Sequence, residues 1–246
     1  FKPLSSTGRA DTWAKQNISL VNVNGLKGAS MDTVNPVLET VHEIQSRLNP
    51  KVYPSGLMAA PDAAGKLPKT KANLTFGFGP GANSLAYAYY GKGHLLPVGD
   101  GGFFEQGHGV WVKKRYGKGG ESIKDLMARD NDIFKKQTGS SVPFHAHTDD
   151  MRGLIWHEFA HAMDNVEGYV PSQTLAKMYD NGSPAFKANL RSVSSYGASD
   201  ILTGKVGRRC AETWAECVAA TITNTAQAKF VPDEVKRMIW ARINKE

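Results

Sequence analysis

The sequence predicts an α+β fold in which a small twisted mixed sheet precedes a mostly helical lobe. Three observations carry this. Helical periodicity marks residues 32–48 and 121–137. Short apolar or alternating runs punctuated by Gly and Pro fill residues 51–112. From residue 149 onward the pattern is almost wholly helical. The chain has 246 residues, 41% of them hydrophobic and 22% charged, enough to bury a core without disulfide staples. It shows no convincing linker, so it reads as one domain over 1–246. An N-terminal α/β lobe spans about 1–165 and a C-terminal helical lobe about 166–246.

Within the first lobe, Val34, Val37, Leu38, Val41, Ile44 and Leu48 recur at helical spacing, and Asn49-Pro50 stops the helix. LTFGFG, SLAYAYY, HLLPVG and GVWVKK then read as strands and hairpins. Ile123, Leu126, Met127, Ile133 and Phe134 mark the next helix, and 139–148 reads as a loop. Asp149 or Asp150 can cap a helix that runs to about residue 165. Shorter helices follow near 171–180 and 184–193, split by the turn Asp180-Asn181-Gly182. SSYGASDILTGKVG reads as loop. The last two helices span about 208–225 and 233–244, the second starting at Pro232-Asp233.

Composition excludes some classes. No apolar run approaches a membrane span, and FKPLSSTGRA lacks the apolar core of a signal peptide. The chain begins at Phe1, so its compartment is not read from its N-terminus. Cys210 and Cys217 lie too far apart along one helix to pair and read as buried small hydrophobes. A net charge of +7 favours acidic partners. Its densest basic cluster, Lys113, Lys114, Arg115 and Lys118, has no accompanying nucleic-acid motif and reads as a solvated hairpin or loop.

The chemistry centres on WHEFAHAMD, residues 156–164. Residues four apart share one helical face, so His157 and His161 can converge on one metal ion. Glu158 is rotated by about 100° from His157, beside that ion rather than on it, where a general base belongs. Such a string arises by chance in roughly one chain of this length in a hundred, so a third ligand is required. Downstream, CAETWAEC places Glu212 and Glu216 one turn apart on a helix that is apolar nearly all round. One of them can bind zinc while the other supports an imidazole. Asp164 lies near the histidine face and can hydrogen-bond a ligand histidine. His145 and His147 in FHAHTDD share one side of an extended segment, so a metal pair is conceivable there; no third ligand is evident, and loop histidines are more often solvated. His42, His94 and His108 carry no assigned role.

HEFAHAMD, SSYG and ETWAE, in that order, resemble the catalytic domain of the anthrax lethal factor-like metallopeptidases, over about residues 150–222. The resemblance implies a zincin-like fold and a zinc-dependent gluzincin that hydrolyses peptide bonds of a protein substrate with zinc-activated water. It implies His157, His161 and Glu212 as ligands of one catalytic Zn2+, Glu158 as base, Glu216 as an acid behind the ligands, and Tyr196 as a donor to the oxyanion. The stretch between Tyr196 and Glu212 is longer than the family pattern, which leaves the reach of the tyrosine to be decided by the fold. The resemblance further implies an edge strand that pairs with extended substrate, with SLAYAYY or HLLPVG as candidates. The contexts it suggests are a secreted or delivered toxin, or a virion-associated protease. The alternative reading is a non-catalytic basic virion or nucleic-acid-associated protein with a structural or vestigial zinc site.

Overall fold

The computed structural model describes residues 1–58, 70–77, 86–97, 103–114, 123–147, 151–204 and 209–244. Among them it is mixed α/β and mostly helical, with nine α-helices and a four-stranded sheet. The chain divides into two compact units, Phe1–Ile123 and Lys124–Glu246. The boundary falls well before the 165/166 division expected from sequence. The helix carrying WHEFAH falls in the second unit, together with the helix carrying CAETWAEC.

In the first unit, α1 (Thr7–Asn17) is a helix over a segment the sequence left unassigned. Ser6 caps it by accepting a hydrogen bond from Arg9 N, and Ala10 and Ala14 are its buried face. Two buried alanines give too weak a periodic signal to read. Helix α2 (Met31–Arg47) matches expectation: Val34, Val37, Leu38, Val41 and Ile44 are all fully buried. The sheet runs β1 (Asn22–Asn24), β2 (Asn73–Gly77), β4 (Phe103–Lys113), β3 (Ala86–Pro97). β1, β2 and β4 are parallel, and β3 is antiparallel to β4 along one edge. Leu74, Thr75 and Phe76 of β2, like Val110, Trp111 and Val112 of β4, are buried in succession. Both faces of these central strands are therefore covered, as a parallel arrangement requires.

Two expectations change here. SLAYAYY and HLLPVG contribute to one strand, β3, whose register shifts between Gly91 and Leu95. Ser84, Leu85, Val98 and Gly99 lie outside the described residues. In the basic cluster, Lys114 is not solvated: it is 3% exposed, and its Nζ donates to Lys27 O at 2.8 Å. Arg115 and Lys118 lie outside the described residues. Cys210 and Cys217 are both free and buried, as expected.

The second unit holds α3 (Ile123–Thr138), α4 (Met151–Val166), α5 (Val170–Asn181), α6 (Pro184–Arg191), α7 (Ser195–Thr203), α8 (Ala211–Thr223) and α9 (Asp233–Arg242). Helix α8 is its centre. Trp214, Ala215, Cys217, Val218, Ala219 and Ala220 are all at 0% exposure, and α4, α5, α7 and α9 pack around it. A helix apolar all round is what such a central position demands. The stretch read as loop after SSYG is instead helix α7. Ser194 caps it by accepting from Gly197 N at 2.9 Å, and Gly197 and Ile201 are buried. Its polar composition hid a helix that tertiary packing stabilises. On α3, Met127 is buried as expected, but Ile133 is 43% exposed. No helix among the described residues is long and apolar enough to cross a membrane.

Candidate metal centre

The centre forms where α4 meets α8. Of the sixteen residues of α4, eleven from Gly153 to Asp164 are buried, so the helix is fixed along most of its length. That fixes where His157 and His161 point. Their Nε2 atoms lie 3.2 Å apart. Glu212 Oε2 is 3.0 Å from the Nε2 of His161 and 3.3 Å from that of His157. The three donor atoms thus form a nearly equilateral triangle. Donors on a tetrahedral zinc with arms of about 2.0–2.1 Å are spaced at roughly 3.3 Å, so the triangle fits one face of such a site. The donor types fit as well. Two neutral imidazoles with lone pairs turned toward each other and a carboxylate repel unless a proton or a cation lies between them.

Glu212 is held from both ends. Helix α8 starts at Cys210, whose backbone is left-handed with φ 71 and whose side chain caps nothing. The free amides of the first turn are taken by Asp200 of α7, whose Oδ2 accepts from Glu212 N at 3.0 Å and Thr213 N at 3.3 Å. Thr213 Oγ1 in turn donates to Gly197 O at 2.8 Å. Asp200 carries no signature of this role in its own segment. Its capping role crosses twelve residues, so no local capping pattern reveals it.

Glu216, one turn further along α8, is fully buried on the Nδ1 side of His157. Its Oε1 lies 3.2 Å from His157 Nδ1, although the ring N–H points off the line of an ideal hydrogen bond. His145 Nδ1 sits 2.7 Å from the same oxygen, and Ala146 N donates to Oε2 at 2.6 Å. The segment carrying FHAH is therefore part of the site. It is pinned by Ser195 N donating to Pro143 O and Tyr196 N donating to Phe144 O, which satisfies two free amides at the start of α7. His147, read as solvated, is 1% exposed, and its ring stacks on His145 at 5.0 Å. The partner missing from the sequence reading is Glu216, about seventy residues away.

Tyr196 is brought to the same place. It packs on Phe144 and His145. The long connection to Glu212 is partly helix α7, so the tyrosine sits in a capped first turn. Burial, then the charges of Glu212 and Glu158, push its phenol well above the usual range. Glu158 is 6% exposed, and its charge acts on His157, His161 and Tyr196. Asp164 does not support a ligand histidine. Its Oδ1 accepts from Ser172 N at 2.9 Å and fastens the turn between α4 and α5. Its Oδ2 is buried without a hydrogen-bond partner among the described residues, so neither ligand imidazole reaches this carboxylate.

Electrostatics follow from acids and imidazoles packed in low dielectric. Burial opposes charge on His157 and His161, but Glu212, joined at His157 by Glu216, outweighs it and raises both. Burial likewise opposes charge on Glu212 and Glu216, yet the histidines hold both carboxyls well below their ordinary range. Burial drives His147 down to about 3 despite Glu216. These shifts set a pH profile for the metal-free protein. Below the ordinary histidine value of 6.5, the unfolded chain binds a proton that folded His147 refuses, so stability rises with pH. Glu212 and Glu216 act in the same sense below 4.5. Above 6.5, folded His157 and His161 keep protons that the unfolded chain has released, so stability falls. Thermal midpoints of chelator-treated protein are expected to peak near pH 6.5. A midpoint still climbing at about pH 8 would contradict a protonated histidine pair.

Comparison with models of known protein families, with curated proteins and with solved structures finds no match to this chain.

Proposed function

We propose that the protein is a zinc-dependent metallopeptidase of the gluzincin type, with a zincin-like arrangement around helix α4, acting on a protein or peptide substrate. The observation that carries this reading is the triangle of His157 Nε2, His161 Nε2 and Glu212 Oε2, with sides of 3.0 to 3.3 Å. The lethal factor-like pattern of HEFAHAMD, SSYG and ETWAE supports it from the sequence side. His157, His161 and Glu212 would hold the zinc. When bound, zinc supplies a Lewis acid that polarises the scissile carbonyl and acidifies water.

The chain's own groups do the rest. The carboxylate of Glu158 takes the proton of the attacking water and returns it to the leaving amine. The Tyr196 hydroxyl, which stays protonated at neutral pH, donates to the oxyanion as it forms. Glu216 receives the Nδ1 side of His157 and so orients its Nε2 lone pair toward the metal position. Asp200 fixes the first turn of α8 and with it the backbone of Glu212.

The decisive experiment is metal content after purification and dialysis against low-micromolar Zn(II). Glu212→Ala is expected to lower zinc affinity at this centre by more than the roughly 10- to 100-fold that losing a partner behind a ligand costs, because a ligand itself is lost. Unchanged affinity would remove Glu212 from the ligand set. An acidic partner bound through the basic surface, with no hydrolysis of any protein substrate, would favour the non-catalytic alternative.

A further inference from the structure

The acid behind the first ligand set belongs to a second group of donors. His145, His147 and Glu216 each offer one ligand atom, and those atoms lie within 4.8 Å of one another. None of them is an atom of the first triangle. We propose that His145, His147 and Glu216 form a second site for a divalent transition metal such as zinc, distinct from the one that His157, His161 and Glu212 would hold. It stands apart from the reading of the first site and does not need that site to be catalytic.

Three features point to a built site. His147 is 1% exposed, and its Nδ1 is enclosed without a protein partner. That atom lies 4.0 Å from Glu216 Oε1, too far for a hydrogen bond. Donors sharing one tetrahedral zinc are spaced at roughly 3.3 Å. The His147 distance of 4.0 Å and the His145 distance of 2.7 Å to that same oxygen straddle this spacing. With all three donor atoms within 4.8 Å of one another, the two imidazoles are close enough to turn toward one ion.

The surroundings hold the donors in place. Ala146 N binds Glu216 Oε2, which leaves Oε1 for the ion and for His157. A carboxylate has about four acceptor positions, so both are accommodated. Gly153, in the interior of α4, gives His147 its space: a Cβ there would come within 2.3 Å of the His147 Cβ. Glycine is the poorest helix former after proline, so its place beside this histidine is a packing requirement. The side chain of His145 is 29% exposed and provides the open edge for entry and for a fourth, solvent ligand. Two imidazoles and one carboxylate select zinc, cobalt, nickel or copper rather than calcium or magnesium, which prefer all-oxygen sets.

The test is stoichiometry. Full-length protein is dialysed against Zn(II) and analysed for bound metal, as wild type, His145→Ala, His147→Ala and His161→Ala, with circular dichroism melts for each. Two equivalents are expected in wild type and one in each variant. One equivalent in wild type, kept in both His145→Ala and His147→Ala, overturns the proposal and leaves the three groups as a hydrogen-bonded clamp. Two equivalents that survive both substitutions overturn it as well, because the second ion then lies elsewhere. One equivalent lost in His145→Ala but kept in His161→Ala supports this site and overturns the first. No bound zinc in wild type overturns both. If His147→Ala does not fold, His145→Ala decides, since that ring is the less buried of the two.

Discussion

Glu158→Gln is expected to reduce hydrolysis of an unfolded protein substrate by roughly 10² to 10⁴-fold, the range a positioned general base contributes. Zinc content should stay at the wild-type level, because Glu158 follows His157 on α4 and its carboxylate is no part of the triangle formed by His157, His161 and Glu212. Glutamine keeps the shape and the hydrogen-bonding edge but cannot accept a proton at neutral pH. Glu158 is buried, and its negative charge favours the charged forms of His157 and His161 and disfavours ionisation of Tyr196. Loss of activity together with loss of zinc would show that the substitution had damaged the ligands. Full activity with zinc intact would exclude Glu158 as the base.

The second large effect is structural. Glu216→Ala should destabilise the metal-free protein by about 3–5 kcal/mol, the usual consequence of removing one member of a buried charged group. The Glu216 side chain has no exposure. Its removal leaves His145 Nδ1 and Ala146 N without their acceptor and His157 Nδ1 without its nearest carboxylate. For a chain of this size that corresponds to a fall of roughly 10 °C in the thermal midpoint. Glu216→Gln, which keeps an acceptor but no charge, should fall between wild type and alanine. A change under about 1 kcal/mol for alanine would mean that water or a rearranged histidine replaces the carboxylate, and that Glu216 does not organise the centre.

Several parts of this protein are written locally in its residues. The α2 face from Val34 to Ile44 repeats at helical spacing, and the spacing of His157 to His161 is a property of any α-helix. The all-apolar surround of Glu212 and Glu216 announces a buried helix with polar cargo, and α8 is the core of its unit. Other parts depend on approaches across tens of residues, which no local pattern encodes. FHAH reads as solvated because its acid lies on α8, and Asp164 reads as support for a histidine because the amide it accepts from, Ser172 N, belongs to the next helix. SSYG looked like loop because the groups that complete α7's first turn are carbonyls of Pro143 and Phe144. The division of the chain at Ile123/Lys124 likewise follows from packing, since α4 is buried against α8 and α5. The donor types and one-turn spacing of His157 with His161 and of Glu212 with Glu216 are legible in the residues alone, because both are local; the place of FHAH beside them is not. Spacing and composition leave open how Glu212 and Glu216 divide, which the resemblance alone assigns at that level and which packing across the fold sets physically. The packing of α8 on α4 sets Glu212 against the Nε2 side of the histidines and Glu216 against the Nδ1 side.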